Sequence, residues 1–374
     1  MAKLNTALLI LVSALILIIY GDLIIIDPVL KWDDESIIKP LLGVKSFFDY
    51  HISASIDLQP VRDISLLINI YIMNLFGIST FHLLNVLIWI SILGSVNILL
   101  TQLKTPVVAR TSLLLLMAVH PVFVNSVAWI SARKHLLSCL FIFCATICFF
   151  YLEKSAPEKR KKCIKLAIII FYLLSVLSQP ISLLWPFWII AYFLSFNCRG
   201  LQIIDTIKKV PLYFYFLLII MVCCIKLNLI YYSTDYLQKS HYPKVLDFFG
   251  NMPTIPQMYG RYFINLVFPF NLAVLYEIFS ITNIVGMVSF VLWMYFAWKM
   301  LDRRDFVVWM IFYLFPLAVV TVNITPMFVF DTYVVISSFA FFYINYLIFV
   351  NVHIDVRWKT IFTAILLSII IIIF

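Results

Sequence analysis

Long apolar runs, separated by short polar connections, recur along almost the whole chain. A helix needs about twenty residues to cross a hydrocarbon layer. Runs of that order fall near residues 4–26, 81–103, 107–127, 135–151, 166–178, 181–196, 211–231, 281–299, 305–323, 331–350 and 360–374. Inside a bilayer every backbone group must be paired within its own segment. The pattern therefore predicts an all-α polytopic membrane protein of about 11 transmembrane helices, forming one domain over residues 1–374. The runs at 166–178 and 181–196 are short and are separated by Gln179-Pro180, where proline disfavours continuous helix.

Two longer polar stretches interrupt the runs. The first, 27–80, contains a thirteen-residue amphipathic segment from Ile64 to Phe76, too short to span and suited to lying in the membrane interface. The second, 232–280, holds Asp235, Lys239, His241 and Asp247, then Pro253 and Pro256, then Tyr259-Gly260-Arg261-Tyr262. A third, shorter connection runs from Asn323 to Asp331. Leu266 to Leu275 is apolar as well, but a crossing there would put Lys299, Arg303 and Arg304 on the wrong side for the usual charge bias.

Composition agrees with this pattern. Hydrophobic residues make up 64% of the 374, and mean hydropathy is +1.05, well above the roughly half-apolar content of soluble domains. The net charge of +9 raises the question of nucleic acid, but the distribution of the cations answers it. Starting from a cytoplasmic N-terminus, the connections assigned to the cytoplasm collect seventeen of the twenty-seven basic residues, among them Lys159 to Lys162, Lys208, Lys209, Arg303 and Arg304. That is the positive-inside bias, and no nucleic-acid partner is expected. The first run has only Lys3 before it and no small-residue cleavage site before Asp27-Pro28, so it reads as a retained helix and not a removed signal. The seven cysteines show neither metal-type spacing nor a disulfide framework.

The same topology sends most acidic residues to the opposite face. Asp33, Asp34 and Glu35 follow the first run directly, in a chain of which only 12% is charged. Carboxylates beside a bilayer are costly to desolvate, and such a cluster is a site candidate. Arg133, Lys134 and Arg261 fall on that non-cytoplasmic side too, against the general bias.

Several blocks, taken in order, resemble a family. Asp33-Asp34-Glu35, Gln59-Pro60-Val61-Arg62-Asp63-Ile64-Ser65, Asn74-Leu75-Phe76-Gly77 and His82-Leu83-Leu84-Asn85 resemble the first loop and second span of the tetratricopeptide-associated transmembrane O-mannosyltransferase-like proteins and their bacterial relatives. The stretch from His120-Pro121 to Arg133-Lys134-His135 is the closest in pattern. Ser178-Gln179-Pro180, Tyr259 to Tyr262, Pro269 to Leu272 and Asp331-Thr332-Tyr333 complete the series. The family's glutamate after the His-Pro pair is Asn125 here, its aspartate after the basic pair is His135, a lysine-type position is Gln179, and a late arginine is Thr332. The repeats have no counterpart.

The resemblance implies a GT-C glycosyltransferase, with interfacial helices in the first non-cytoplasmic loop. Such an enzyme passes a sugar, with inversion, from a polyprenyl-phosphate-linked donor to a protein or glycan acceptor on the non-cytoplasmic face. This chemistry needs a carboxylate base for the acceptor and cations for the departing phosphate. Asp33 or Asp34 suits the first task, with a solvated acidic cluster as the plain alternative. Arg133, Lys134 and Arg261 suit the second, against snorkelling to lipid headgroups. Glu35, His120, Asn125, His135, Gln179, Asp331 and Tyr333 would line the site; for His120 a structural role weighs equally. Arg62 and Asp63 are expected to form a local pair orienting the first loop. Neither a metal nor another cofactor is expected, since the three clustered carboxylates show no fourth ligand. The other reading is an inactive homologue that binds a lipid or a partner membrane protein, which the four departures favour. A transporter would place charges near mid-membrane, whereas here they sit at the ends of the runs. A bacterial inner membrane is the expected location.

Overall fold

A computed structural model of the chain describes residues 2–26, 33–44, 59–154, 157–197, 212–234, 255–269, 272, 276–277, 280–323, 328–329 and 331–352. The run expected at 360–374 lies outside them. Among the described residues the architecture is helical, apart from one two-residue antiparallel bridge. Five helical segments are long and apolar enough to cross a membrane: Thr6–Ile25, Phe81–Gln102, Arg133–Lys154, Ile281–Met300 and Asp331–Asn351. A sixth is available if Val107–Val119 and Pro121–Ala128, bent by 50° at their junction, form one broken span. The described residues thus account for five or six of the expected eleven. Pro121 interrupts the 107–127 run, and Gln179-Pro180 ends one helix before another begins.

The chain divides into two compact units. Among its described residues the first, through Gln179, contains α1 (Ala2–Ile25), α2 (Asp33–Leu42), α3 (Pro60–Phe76), α4 (Phe81–Gln102), α5 (Val107–Val119), α6 (Val124–Ala128), α7 (Arg133–Lys154) and α8 (Lys161–Ser178). α3 starts with Pro60 in its first turn, where a missing N–H costs nothing, and ends at Gly77. Gly77 is left-handed (φ 67°), and its N–H returns to the Met73 carbonyl at 2.8 Å. α7 and α8 form the most extensive helix pair of the unit. Their seam is small and polar: the Ser138 and Ser175 hydroxyls lie 3.0 Å apart, Ser175 Oγ donates to the Ser138 carbonyl at 2.7 Å, and Ser138 Oγ donates to the Gln179 carbonyl at 3.2 Å. Small hydroxyl residues let membrane helices approach closely, where no hydrophobic force separates lipid from leucine. A smaller apolar cluster of Ile37, Ile38, Leu41, Leu66, Leu67, Ile70, Phe81 and Ile130 fastens α2 and α3 to the start of α4 and the turn before α7.

The second unit, Pro180–His353, contains α9 (Trp185–Asn197), α10 (Leu212–Thr234), α11 (Ile255–Val267), α12 (Ile281–Met300), α13 (Arg303–Asn323) and α14 (Val335–Asn351). β1 (Tyr276–Glu277) pairs with β2 (Phe328–Val329). α11 and α12 cross backbone to backbone at two glycines. A Cβ on Gly260 would lie 2.3 Å from the Met287 amide nitrogen, and one on Gly286 would lie 2.3 Å from the Gly260 carbonyl oxygen. The core is aromatic: Trp188 meets Phe312 edge-on at 4.9 Å, and Trp293 packs on Phe341 at 5.4 Å while donating to Asn345 Oδ1 at 3.1 Å.

Candidate functional site

In the first unit the candidate residues are drawn together by the turn between α6 and α7. The Ser131 amide in that turn donates to Asp34 Oδ1 at 2.7 Å. Asp34 belongs to the first turn of α2 and is 6% exposed, so its carboxylate is held inside the unit by a residue 97 positions away. Asp33 begins the same helix, and its side chain lies outside the described residues. Glu35 turns outward, where it pairs with Lys39 one helical turn on; an exposed pair of this kind contributes little.

Two residues past Ser131, Arg133 is fully buried at the start of α7 and interacts electrostatically with Asp34. All three of its nitrogens donate within the unit. Nε bonds to Asn85 Oδ1 at 2.7 Å, Nη2 to the Phe81 carbonyl at 2.8 Å, and Nη1 to Asn69 Oδ1 and the Ser65 carbonyl, the latter at 3.1 Å. The two asparagines are themselves anchored. Asn69 Nδ2 donates to Thr80 Oγ1 at 2.7 Å, and Asn85 Nδ2 donates to the Val127 and Trp129 carbonyls at 3.1 and 3.2 Å. The guanidinium therefore ties α3, α4 and the α6–α7 turn into one polar knot. A lipid phosphate could bind Arg133 only by displacing those bonds.

A second buried network lies at the start of α3. Arg62 and Asp63 form the expected local pair, 2.7 Å from Nη2 to Oδ1, with both side chains wholly enclosed. Arg62 Nη1 also donates to Gln59 Oε1 at 2.8 Å, and Gln59 Nε2 donates to Gln179 Oε1 at 2.6 Å. Gln179, named from the sequence as an altered position, is thus the partner that brings the end of α8 to the start of α3. His135 is 3% exposed and feels the charges of Lys134 and Arg62. Lys134 is only half-buried.

His120 has a local role. Its Nδ1 accepts the Val122 amide at 3.3 Å, capping the short 3-10 turn Pro121–Phe123, and its ring meets Phe123 edge-on. Asn125 is half-buried in α6, where its carbonyl accepts the Trp129 amide. The remaining candidates belong to the second unit. Arg261 and Asn265, one turn apart on α11, are both buried, and Asn265 Nδ2 donates to Asp331 Oδ1 at 2.6 Å. Asp331, Thr332 and Tyr333 form the 3-10 turn before α14, the first two buried and Tyr333 half-buried.

Sequence reasoning passed over Ser65, Asn69 and Ser131. A signal existed for the first two: Arg62, Ser65 and Asn69 recur at spacings of three and four within an otherwise apolar helix, which places them on one face. No group of three or more His, Cys, Asp or Glu side chains suited to a metal ion occurs among the described residues. No family model, characterised protein or solved structure matches the chain.

Proposed function

We propose that the protein is a membrane glycosyltransferase of GT-C type. It would transfer a sugar from a polyprenyl-phosphate-linked donor to a protein or glycan acceptor on the non-cytoplasmic face, in a chain that completes eleven crossings of a bacterial inner membrane. One observation carries the reading: the Asp34 carboxylate is held by the Ser131 amide, next to the buried cation Arg133. In the reaction the acceptor hydroxyl attacks the anomeric carbon and gives its proton to the Asp33 or Asp34 carboxylate. The bond from that carbon to the phosphate oxygen breaks with inversion, and polyprenyl phosphate leaves. Arg133, saturated by neutral acceptors, serves as a positioning residue that keeps the turn carrying Ser131 in place. The half-buried Lys134 beside it is then the residue we assign to the phosphate. Arg261, Asp331 and Tyr333 enter this reading through the family resemblance alone.

A second reading is favoured by the same saturation of Arg133: an inactive homologue in which the knot holds a scaffold that binds a lipid or a partner membrane protein. Purified protein supplied with labelled polyprenyl-phosphate sugars separates the two. Release of polyprenyl phosphate that is abolished in Asp34→Asn, a substitution that keeps an oxygen for the Ser131 amide, supports the enzyme. Absence of release with every donor supports the scaffold, and release that survives both Asp33→Asn and Asp34→Asn rules out the proposed base.

A further inference from the structure

The second unit contains a cleft unrelated to the acidic pair. It is a shallow, open cleft of about 390 Å³ where the C-terminal end of α9 meets the N-terminal end of α13, lined by Leu194, Ser195, Arg303, Arg304 and Val307. We infer that this cleft binds the phosphate headgroup of an anionic membrane lipid. Among the described residues neither Arg303 nor Arg304 makes a hydrogen bond or an ion pair, so both guanidinium forks remain available to phosphate oxygens. Asp302 and Asp305 flank them in sequence, and Asp305 shares an electrostatic interaction with Arg304, but neither aspartate lines the cleft. The amide end of α13 adds a partial positive charge at the same place.

The walls argue for a lipid and against free phosphate. Leu194 and Val307 give the open cleft an aliphatic part. Leu194 and Phe187 are 40% and 48% exposed and stand seven residues apart, two turns along one face of α9. An acyl chain can run along that face while its headgroup meets the arginines. The positive-inside bias assigns Arg303 and Arg304 to the cytoplasmic leaflet, where anionic lipids attract basic residues.

The test uses the full chain in mild detergent, with bound lipid counted by native mass spectrometry. Phosphatidylglycerol should be retained over phosphatidylcholine, and Arg303→Gln/Arg304→Gln should weaken its retention by at least about tenfold, from the share each basic residue contributes at a membrane surface. Lys159→Gln/Arg160→Gln removes the same charge from exposed residues of the first unit and should leave retention unchanged. Should the arginine pair prove needed for folding, Val307→Glu places a carboxylate in the cleft and should have the same effect. Equal retention of both lipids, or equal loss from both double variants, would overturn the site. Displacement of the lipid by millimolar inorganic phosphate would overturn the lipid assignment in favour of a soluble phosphate ligand.

Discussion

Each nitrogen of the Arg133 guanidinium is committed to a neutral acceptor on another element, and those acceptors are fixed by further bonds. Lysine cannot reproduce that fork. Arg133→Lys should leave Asn85, Asn69 and the Phe81 carbonyl without their donor and cost about 3 kcal/mol or more, the scale for breaking a buried charged network. A thermal unfolding midpoint in detergent equal to that of the unaltered protein would refute the knot. Asp34→Asn keeps the acceptor for Ser131 and should cost less, so a loss of the proposed polyprenyl-phosphate release can be separated from a loss of folding. At this scale the sequence was partly legible. The stranded charges Asp34 and Arg133 were visible as anomalies, because burying a charge demands a reason. Their partners were not, because Ser65, Asn69 and Ser131 act through positions that only the packed helices bring together.

Helices succeeded or failed as expectations according to how proline and glycine divide them. The long runs at 81–103 and 281–299 appear as α4 and α12 nearly where expected, while the run at 107–127 is broken at His120-Pro121 into two pieces at 50°. Arg133 and Lys134, expected just before a span, and His135, expected as its first residue, form the first turn of α7. The interface segment expected from Ile64 begins earlier, at Pro60, because its polar first turn carries the buried Arg62–Asp63 pair. Tyr259-Gly260-Arg261-Tyr262 looked like a motif for chemistry, but its glycine permits the crossing of α11 on α12. Gly260→Ala should force the backbones apart and cost about 1–3 kcal/mol or more, the range for overpacking. Gly94→Ala, where a Cβ meets nothing within 4 Å, should be neutral or stabilising by up to about 1 kcal/mol from helix propensity. Chemical or thermal unfolding of the two variants side by side checks the contrast, and an equal response would remove the crossing as the explanation.

For the molecule as a whole, the asymmetry of charge predicts an orientation that can be measured. Cys163, exposed near the basic start of α8, should react with a membrane-impermeant maleimide only after cells are permeabilised. Glu35→Cys should react in intact cells; the reverse pattern would invert the topology, and labelling of both sites from one side would refute the odd number of crossings between them. The helical membrane class was legible from hydropathy alone. The break at His120-Pro121 was not, since hydropathy reports apolar length and is silent on where a helix bends. The knot around Arg133 also bears on how the chain is made. Synthesis proceeds from the N-terminus, so Ser65, Asn69, Phe81 and Asn85, which supply the acceptors of Arg133, all leave the ribosome before the cation does. A permuted gene that began at α7 and delivered α3 and α4 last would reverse that order, so that the arginine would be made before any of those acceptors.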